Sequence, residues 1–278
     1  MRGLSINHYI APTGYPLERF FDDCADSGAT GVGLTERALD EMPVATIKEH
    51  LSKRKLAVTS VNSAGFFLWD APEKSRKQRE VNAFLIDASS ALEASALTTI
   101  GGGLTDAGEP SGTSLNTLRD RVVKSLPSLI DDANIKGVRL GVEPMHPSRM
   151  PNKSLLNTLS QTEALLSRFG DLTVMLDAFH TWWEPDLDSF IQRHASRISC
   201  VQLSGVRLSE NPAMAPSRCP MREGCFDAGG MISLLRENGY DGPFEFELFS
   251  HELDGREVSD VVRQAVADFT NLSSAGAE

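Results

Sequence analysis

The chain predicts a (β/α)8 barrel. Short apolar runs alternate with amphipathic stretches along its whole length, and eight such runs can be counted. Its 278 residues suit a fold that takes roughly 250. Four runs in the second half end in a residue bearing an oxygen acceptor, which suits the mouth of such a barrel.

In order, the predicted strands are Leu4–Asn7, Gly31–Leu34, Ala57–Asn62, Leu97–Gly101, Val138–Glu143, Leu172–Asp177, Cys200–Leu203 and Phe244–Leu248. Each is short and rich in Val, Leu, Ile or Phe, the signature of a strand buried on both faces. Between them, Val81, Leu85, Ala88 and Leu92 share one helical face, as do Val258, Val262, Ala265 and Phe269. Pro127 predicts a kink or break in the helix around Leu115–Asp131. A doubly wound sheet is the competing fold, but no GxGxxG follows the first run and no linker divides the chain. The expectation is therefore one barrel domain over residues 1–278. Gly102–Gly112, Pro144–Ser154 and Ser204–Gly224 lack periodicity and follow strands, on the face where barrel active sites are built. The tail Ser273–Glu278 is expected to fray.

Hydrophobic residues make up 41% and charged residues 23%, a balance typical of globular proteins. A net charge of -11 argues against nucleic-acid binding, where Lys and Arg must replace counterions. It leaves room for an anionic small substrate, which one Arg can hold. No apolar stretch is long enough for a bilayer, and MRGLSINHYIAPTGYPLERF lacks the apolar core of a secretory signal, so a cytoplasmic location without membrane partners is expected. Cys24, Cys200, Cys219 and Cys225 form no CxxC pair and read as reduced structural thiols.

The acceptor endings are Glu143 in VRLGVEPMH, Asp177 in LTVMLDAFH, Gln202 in SCVQLSG and Glu247 in PFEFELFS. An unpaired buried carboxylate is costly. Any one of the four has another explanation, since a strand-end Glu can pair with a Lys or Arg and a lone Gln can be a satisfied polar residue. Together they suggest oxygen donors converging on one divalent ion, with Mn²⁺, Mg²⁺ or Co²⁺ suited better than a structural zinc. His146, three residues after Glu143, is a general acid or substrate contact, or else a solvated loop histidine. Trp182 and Trp183 could wall a sugar face or belong to the core. Asn62, ending the third run, is a candidate hydroxyl contact. Glu245 shares the inward face with Glu247 one layer deeper, and needs a buried partner or a raised pKa. Gly101, Gly102 and Gly103 could offer N–H groups to a phosphate, or simply permit tight turning.

GVEPMHP, MLDAFHTWWEPDL and SRCPMREGCFDAGGMISLLRENGYDGPFEFELFS, with the order of the strands, resemble the sugar phosphate isomerase/epimerase superfamily. These are xylose-isomerase-like TIM barrels of the AP endonuclease 2 type. The resemblance is clearest from Gly137 to Phe269. It implies that Glu143, Asp177 and Glu247 are metal ligands, with Gln202 at the fourth position, which is His in many members and Gln in some dehydratase-like ones. It further implies that Glu143 and Glu247 exchange a proton beside a carbonyl while the metal holds an enediolate. His180 matches the family's DxxH and Arg218 its substrate-gripping arginine, both implying substrate contacts. The implied enzyme is a metal-dependent isomerase or epimerase of a keto-sugar, keto-inositol or related polyol, and the resemblance also implies a homo-oligomer, as is common in such barrels. The alternatives are a dehydratase or lyase using the same enolate (3-dehydroshikimate, inosose or 3-oxo-glycoside type) and a non-catalytic binding subunit. Three departures stand out: Gln202 itself, Gly205 where relatives often carry Asp or Asn, and Met221–Gly224 in place of a Gly-x-Gly turn. The third and fourth runs end without His, which argues against the family's apurinic endonucleases.

Overall fold

The computed structural model describes residues 3–108, 113–211 and 213–275. Eight parallel strands close into a barrel: β1 (Leu4–Asn7), β2 (Gly31–Thr35), β3 (Ala57–Gly65), β4 (Ala96–Ile100), β5 (Leu140–Val142), β6 (Thr173–Asp177), β7 (Ile198–Leu203) and β10 (Phe244–Phe246). Two further strands, β8 (Gly205–Arg207) and β9 (Ser217–Cys219), form an antiparallel hairpin above β7 in sequence order. Neighbours around the barrel are sequential, and it closes where Leu4 pairs with Phe244. The strands are apolar on both faces because one face fills the barrel and the other meets the helices.

Helices α1 (Leu17–Asp26), α2 (Glu36–Glu41), α3 (Val44–Arg54), α4 (Pro72–Ala91), α5 (Leu115–Ile135), α6 (Leu159–Arg168), α7 (Ala178–Thr181), α8 (Leu187–His194), α9 (Ala228–Glu237) and α10 (Val258–Ala275) fill the intervals. In α1 the buried residues Leu17, Phe20, Phe21 and Cys24 make a stripe at helical spacing. A reciprocal cap between Thr158 and Gln161 starts α6. No described helix is long and apolar enough to cross a membrane.

All eight predicted strands are present, with ends displaced by up to three residues. The break expected at Pro127 is absent, and α5 runs unbroken through it. The aperiodic stretch Ser204–Gly224 contains the β8–β9 hairpin; Pro212 within it, and Glu109–Gly112 of the Gly102–Gly112 loop, lie outside the described residues. The predicted frayed tail is helical through Ala275, and residues 276–278 lie outside the described residues.

Candidate active site

Two layers of buried polar side chains occupy the barrel interior towards the carboxyl ends of the strands. The deeper one centres on Glu245 of β10, which is fully buried. Its carboxylate accepts from Asn7 Nδ2 at 2.7 Å, Thr59 Oγ1 at 2.7 Å, Ser60 Oγ at 2.8 Å and Gln202 Nε2 at 2.9 Å. Four neutral donors thus supply the buried partner the sequence called for. Gly33 of β2 makes room for the group: a Cβ there would stand 2.5 Å from Glu245 Oε2. Gln202 stands level with Glu245 on one side and with Asp177 on the other, and its amide N–H is given to the deeper layer.

The outer layer contains Glu143, Asp177 and Glu247, all buried. Glu143 and Glu247 follow directly on β5 and β10, and their N–H groups continue the ladders to Thr99 O and Leu203 O, each at 3.0 Å. Asp177 ends β6 and caps α7, with Oδ1 accepting from Phe179 N at 2.7 Å. Among the described residues, the cation bonded to these acids is Arg218 of β9. Its guanidinium donates to both Asp177 oxygens, at 3.2 and 2.6 Å, and to Glu247 Oε2 at 3.2 Å. It lies over the Phe179 ring at 4.4 Å and the Phe249 ring at 5.4 Å. Arg218 N donates to Glu252 Oε1 at 2.8 Å, which fixes the strand that carries it.

The hairpin also accounts for one departure from the family pattern. A Cβ on Gly205 would stand 2.2 Å from Glu223 O and 2.4 Å from Pro220 O, so the Asp or Asn of relatives has no space here.

Burial pushes Glu143 up to about 8, with the Asp177 charge adding to the effect. Burial likewise drives Glu247 well above the carboxylate range, partly opposed by Arg218. Burial acts on Asp177 in the same direction, but Arg218 and its hydrogen bonds outweigh it and hold the group below its ordinary value. Burial opposes the charge on Arg218, and the Asp177 and Glu247 carboxylates more than restore it, raising its pKa. Burial takes His180 down to about 3, so its imidazole is neutral at pH 7 despite Asp177 beside it.

His180 Nε2 stands 3.7 Å from Glu143 Oε1 and 3.8 Å from Asp177 Oδ2. One donor atom from each of Glu143, Asp177 and His180 falls within 4.8 Å of the others. Two carboxylates and a neutral imidazole at that spacing suit a divalent metal ion.

The remaining predicted residues lie around this cluster. His146 binds Ser148 through Nδ1 at 2.8 Å, caps the turn Pro147–Arg149, and meets Trp183 edge-on at 5.9 Å. Burial and Arg149 lower its pKa. Trp183 Nε1 donates to His180 O at 3.0 Å. Asn62 is tied to Ser60 and Thr98 at 2.8 and 2.7 Å and lines a cavity of about 330 Å³ with Tyr9, Ser63, Phe66, Lys153 and Phe249. The glycine run is no phosphate cradle, because Gly101, Gly102 and Gly103 give their N–H groups to Ser154 Oγ, Lys153 O and Asp106 Oδ2.

Sequence reasoning missed Tyr9 and the donors to Glu245. Burial first, and then the Glu247 and Glu143 charges, raise the Tyr9 pKa, and Tyr9 lines the cavity beside Asn62. A usable signal was the polar Asn7, Thr59 and Ser60 inside otherwise apolar runs, each wanting a buried partner.

Residues 21–269 match the model of the xylose isomerase-like TIM barrel family. The chain belongs to that family. No curated protein matches the sequence significantly. Among solved structures, the protein SMc04130 from Sinorhizobium meliloti 1021 is similar at TM-score 0.86 and 24% identity, over 97% of this chain and 98% of that one. The IOLI protein, solved with a bound zinc atom, is similar at TM-score 0.81 and 15% identity, over 98% of each chain. An L-ribulose 3-epimerase is similar at TM-score 0.77 and 18% identity, over 100% of this chain and 96% of that one. At these identities the likenesses establish the shared fold.

Proposed function

We propose that this protein is a divalent-metal-dependent isomerase or epimerase acting on a keto-sugar, keto-inositol or related polyol. The observation that carries the proposal is the convergence of Glu143, Asp177 and Glu247 in one buried cluster, with Arg218 bonded to Asp177 and Glu247. A stable core has no use for three acids so disposed, whereas proton transfer beside a carbonyl does. The zinc atom in the IOLI protein and the epimerase among the structural relatives support the same reading.

Glu143 and Glu247 take and return the proton on the carbon next to the carbonyl. Their raised pKa values suit that exchange near neutral pH. When bound, a divalent ion draws charge from the substrate's carbonyl and neighbouring hydroxyl oxygens, which acidifies the carbon between them. Arg218 offers its guanidinium to a substrate oxygen. His146, Trp183, Asn62 and Tyr9 line the approach and orient the hydroxyls. The phenylalanine faces beside Arg218 keep water from the reacting carbon.

The test is solvent exchange. Keto-sugars and cyclic keto-polyols are incubated with the protein and Mn²⁺ in deuterated water and followed by proton NMR. The expected result is ion-dependent loss of one α-proton signal with appearance of an isomer. Appearance of a conjugated carbonyl instead would mark elimination. Binding without exchange across the panel would overturn the enzymatic reading.

A further inference from the structure

We infer that the substrate carries a carboxylate at the end remote from its reacting carbon, and that Lys153 and Arg37 hold this group across the cavity from the acid cluster. The inference deepens the keto-polyol reading above and rests on it, narrowing the substrate class to a keto-sugar acid.

The first support is where the cavity lies. Phe249 stands 5.4 Å from the Arg218 guanidinium and stacks on Tyr9 at 4.8 Å, so the cavity of about 330 Å³ that both rings line opens beside the acids. Arg37 lines it from α2, directly after β2, which is diametrically opposite β6 and Asp177 in the eight-strand ring. Tyr9, Asn62 and Ser63 in its wall suit the hydroxyls of a polyol. Arg37 and Lys153 add charge, which hydroxyls do not require.

The second support is that the two cations are unspent. Among the described residues neither forms an ion pair: Arg37 gives Nη2 to Ala11 O at 2.6 Å, and Lys153 Nζ lies 5.7 Å from the centre of the Phe66 ring. Both are nonetheless carried on braced backbone. Thr35 caps the helix that begins beside Arg37. Lys153 N donates to Arg149 O at 2.8 Å and Lys153 O accepts from Gly102 N at 2.9 Å, while Ser154 bridges to Gly102. The loop from β5 is thereby drawn across the end of β4 towards Phe66, which follows β3. In a chain of net charge -11, this is a local reversal of sign at the mouth of the barrel.

The third support is the charge count, which selects among anions. Glu36 lines the same cavity, so its two cations exceed its carboxylate by one. A substrate carboxylate balances that excess, whereas a phosphate ester brings roughly 1.5 to 2 negative charges at neutral pH. Arg37 keeps N–H groups beyond the one given to Ala11, and Lys153 supplies a mobile ammonium, so the two can meet different oxygens of one carboxylate.

The experiment uses matched ligands. D-Fructose, D-fructuronate and D-fructose 6-phosphate share a ketose frame and differ at the end away from the ketone; D-tagatose, D-tagaturonate and D-tagatose 6-phosphate form a second set. Each is titrated calorimetrically into the full chain loaded with Mn²⁺, and each mixture is followed for α-proton exchange in deuterated water. In at least one set the uronate should bind at least about 10-fold more tightly than the neutral ketose, and more tightly than the phosphate. Lys153 is exposed, so its replacement leaves the barrel folded, as circular dichroism should verify. Lys153→Met should reduce the uronate-to-ketose ratio below about 3, and Lys153→Arg, which keeps the charge, should preserve it. Glu36→Gln should move the preference towards the phosphate. Uronates that bind no more tightly than the ketoses, absence of binding by all six included, overturn the inference. So does a wild type that prefers the phosphate, or a uronate preference that survives Lys153→Met. Exchange confined to the neutral ketoses overturns the inference and leaves the isomerase reading standing. Uronate binding as expected without exchange of any ligand overturns that reading and leaves the carboxylate subsite in place.

Discussion

Glu245 and Glu247 lie two residues apart at the end of one strand, both buried in the barrel, yet their surroundings differ in kind. Glu245 is enclosed by four neutral donors from four other residues and needs nothing further. Glu247 shares one guanidinium with Asp177, and the Asp177 and Glu143 charges add to the cost of ionising it. The deeper layer is complete within the protein. The outer layer sets three carboxyl groups against the Arg218 cation and holds two of them towards the protonated form, which is the condition for recruiting an ion or a reacting proton. The same residue type, one pleat apart, serves structure in one layer and chemistry in the next.

The largest expected effect is on the reaction. Glu143→Gln and Glu247→Gln keep side-chain shape but remove the proton carrier, and each should slow α-proton exchange by roughly 10²–10⁴-fold. Thermal unfolding of these variants should be unchanged or raised, because a strained buried acid is relieved. Exchange at the wild-type rate in either variant would erase the functional difference between the layers. Arg218→Met comes next. It leaves Asp177 and Glu247 buried without a counter-charge, and in the presence of a chelator it should cost about 3 kcal/mol in urea unfolding. Excess Zn²⁺ or Mn²⁺ should restore part of that loss by supplying the missing positive charge. In the deeper layer, Glu245→Gln should destabilise by about 2 kcal/mol whether or not metal is present, since one of its oxygens becomes a donor facing donors. A metal-dependent loss there would contradict the separation of the two layers.

The architecture was legible because its causes are local. Apolar runs bounded by turns fix the strands, and the run ending in Asp177 was placed with its true carboxyl end. Where the run carried little signal, the ends moved. β3 continues past Asn62 through Ser63–Gly65 by pairing with β4 after a register shift, and no residue pattern announces that. The β8–β9 hairpin was missed because three-residue strands show no periodicity, although Arg218 on it was singled out. Of the named site residues, Glu143, Asp177, His180, Arg218 and Glu247 come together in the structure. Gln202 gives its amide nitrogen to Glu245 in the deeper layer, a pairing whose cause is non-local. Its partner Glu245 is 43 residues away, and Asn7, which shares that partner, is 238 residues away from it. Such pairings are set by barrel closure and shear, which exist only once all the strands are in place.

Two buried histidines give the finest test of the contrast. His8, beside β1, bonds Thr35 Oγ1 through Nδ1 at 2.8 Å and packs edge-on against Phe20, and burial with Arg37 nearby lowers its pKa to about 3. An unfolded chain returns the imidazole to its ordinary value of 6.5. Between those values the unfolded chain holds a proton that the native ring refuses. The contribution to stability is therefore complete above pH 6.5 and is lost as pH falls towards 3. From pH 7 to 5.5 the His8 share of the loss should be about 1 kcal/mol. His180 is depressed to the same value by burial, but in the acidic cluster. Urea unfolding of His8→Gln against wild type should therefore show a shallower decline with acid, by the same amount with and without Zn²⁺. A His8→Gln profile parallel to wild type would mean that His8 is not held neutral by the packing around β1. A Zn²⁺-dependent change in that slope would mean that the ion's influence reaches across the barrel, and the two regions would then have to be treated as one coupled site.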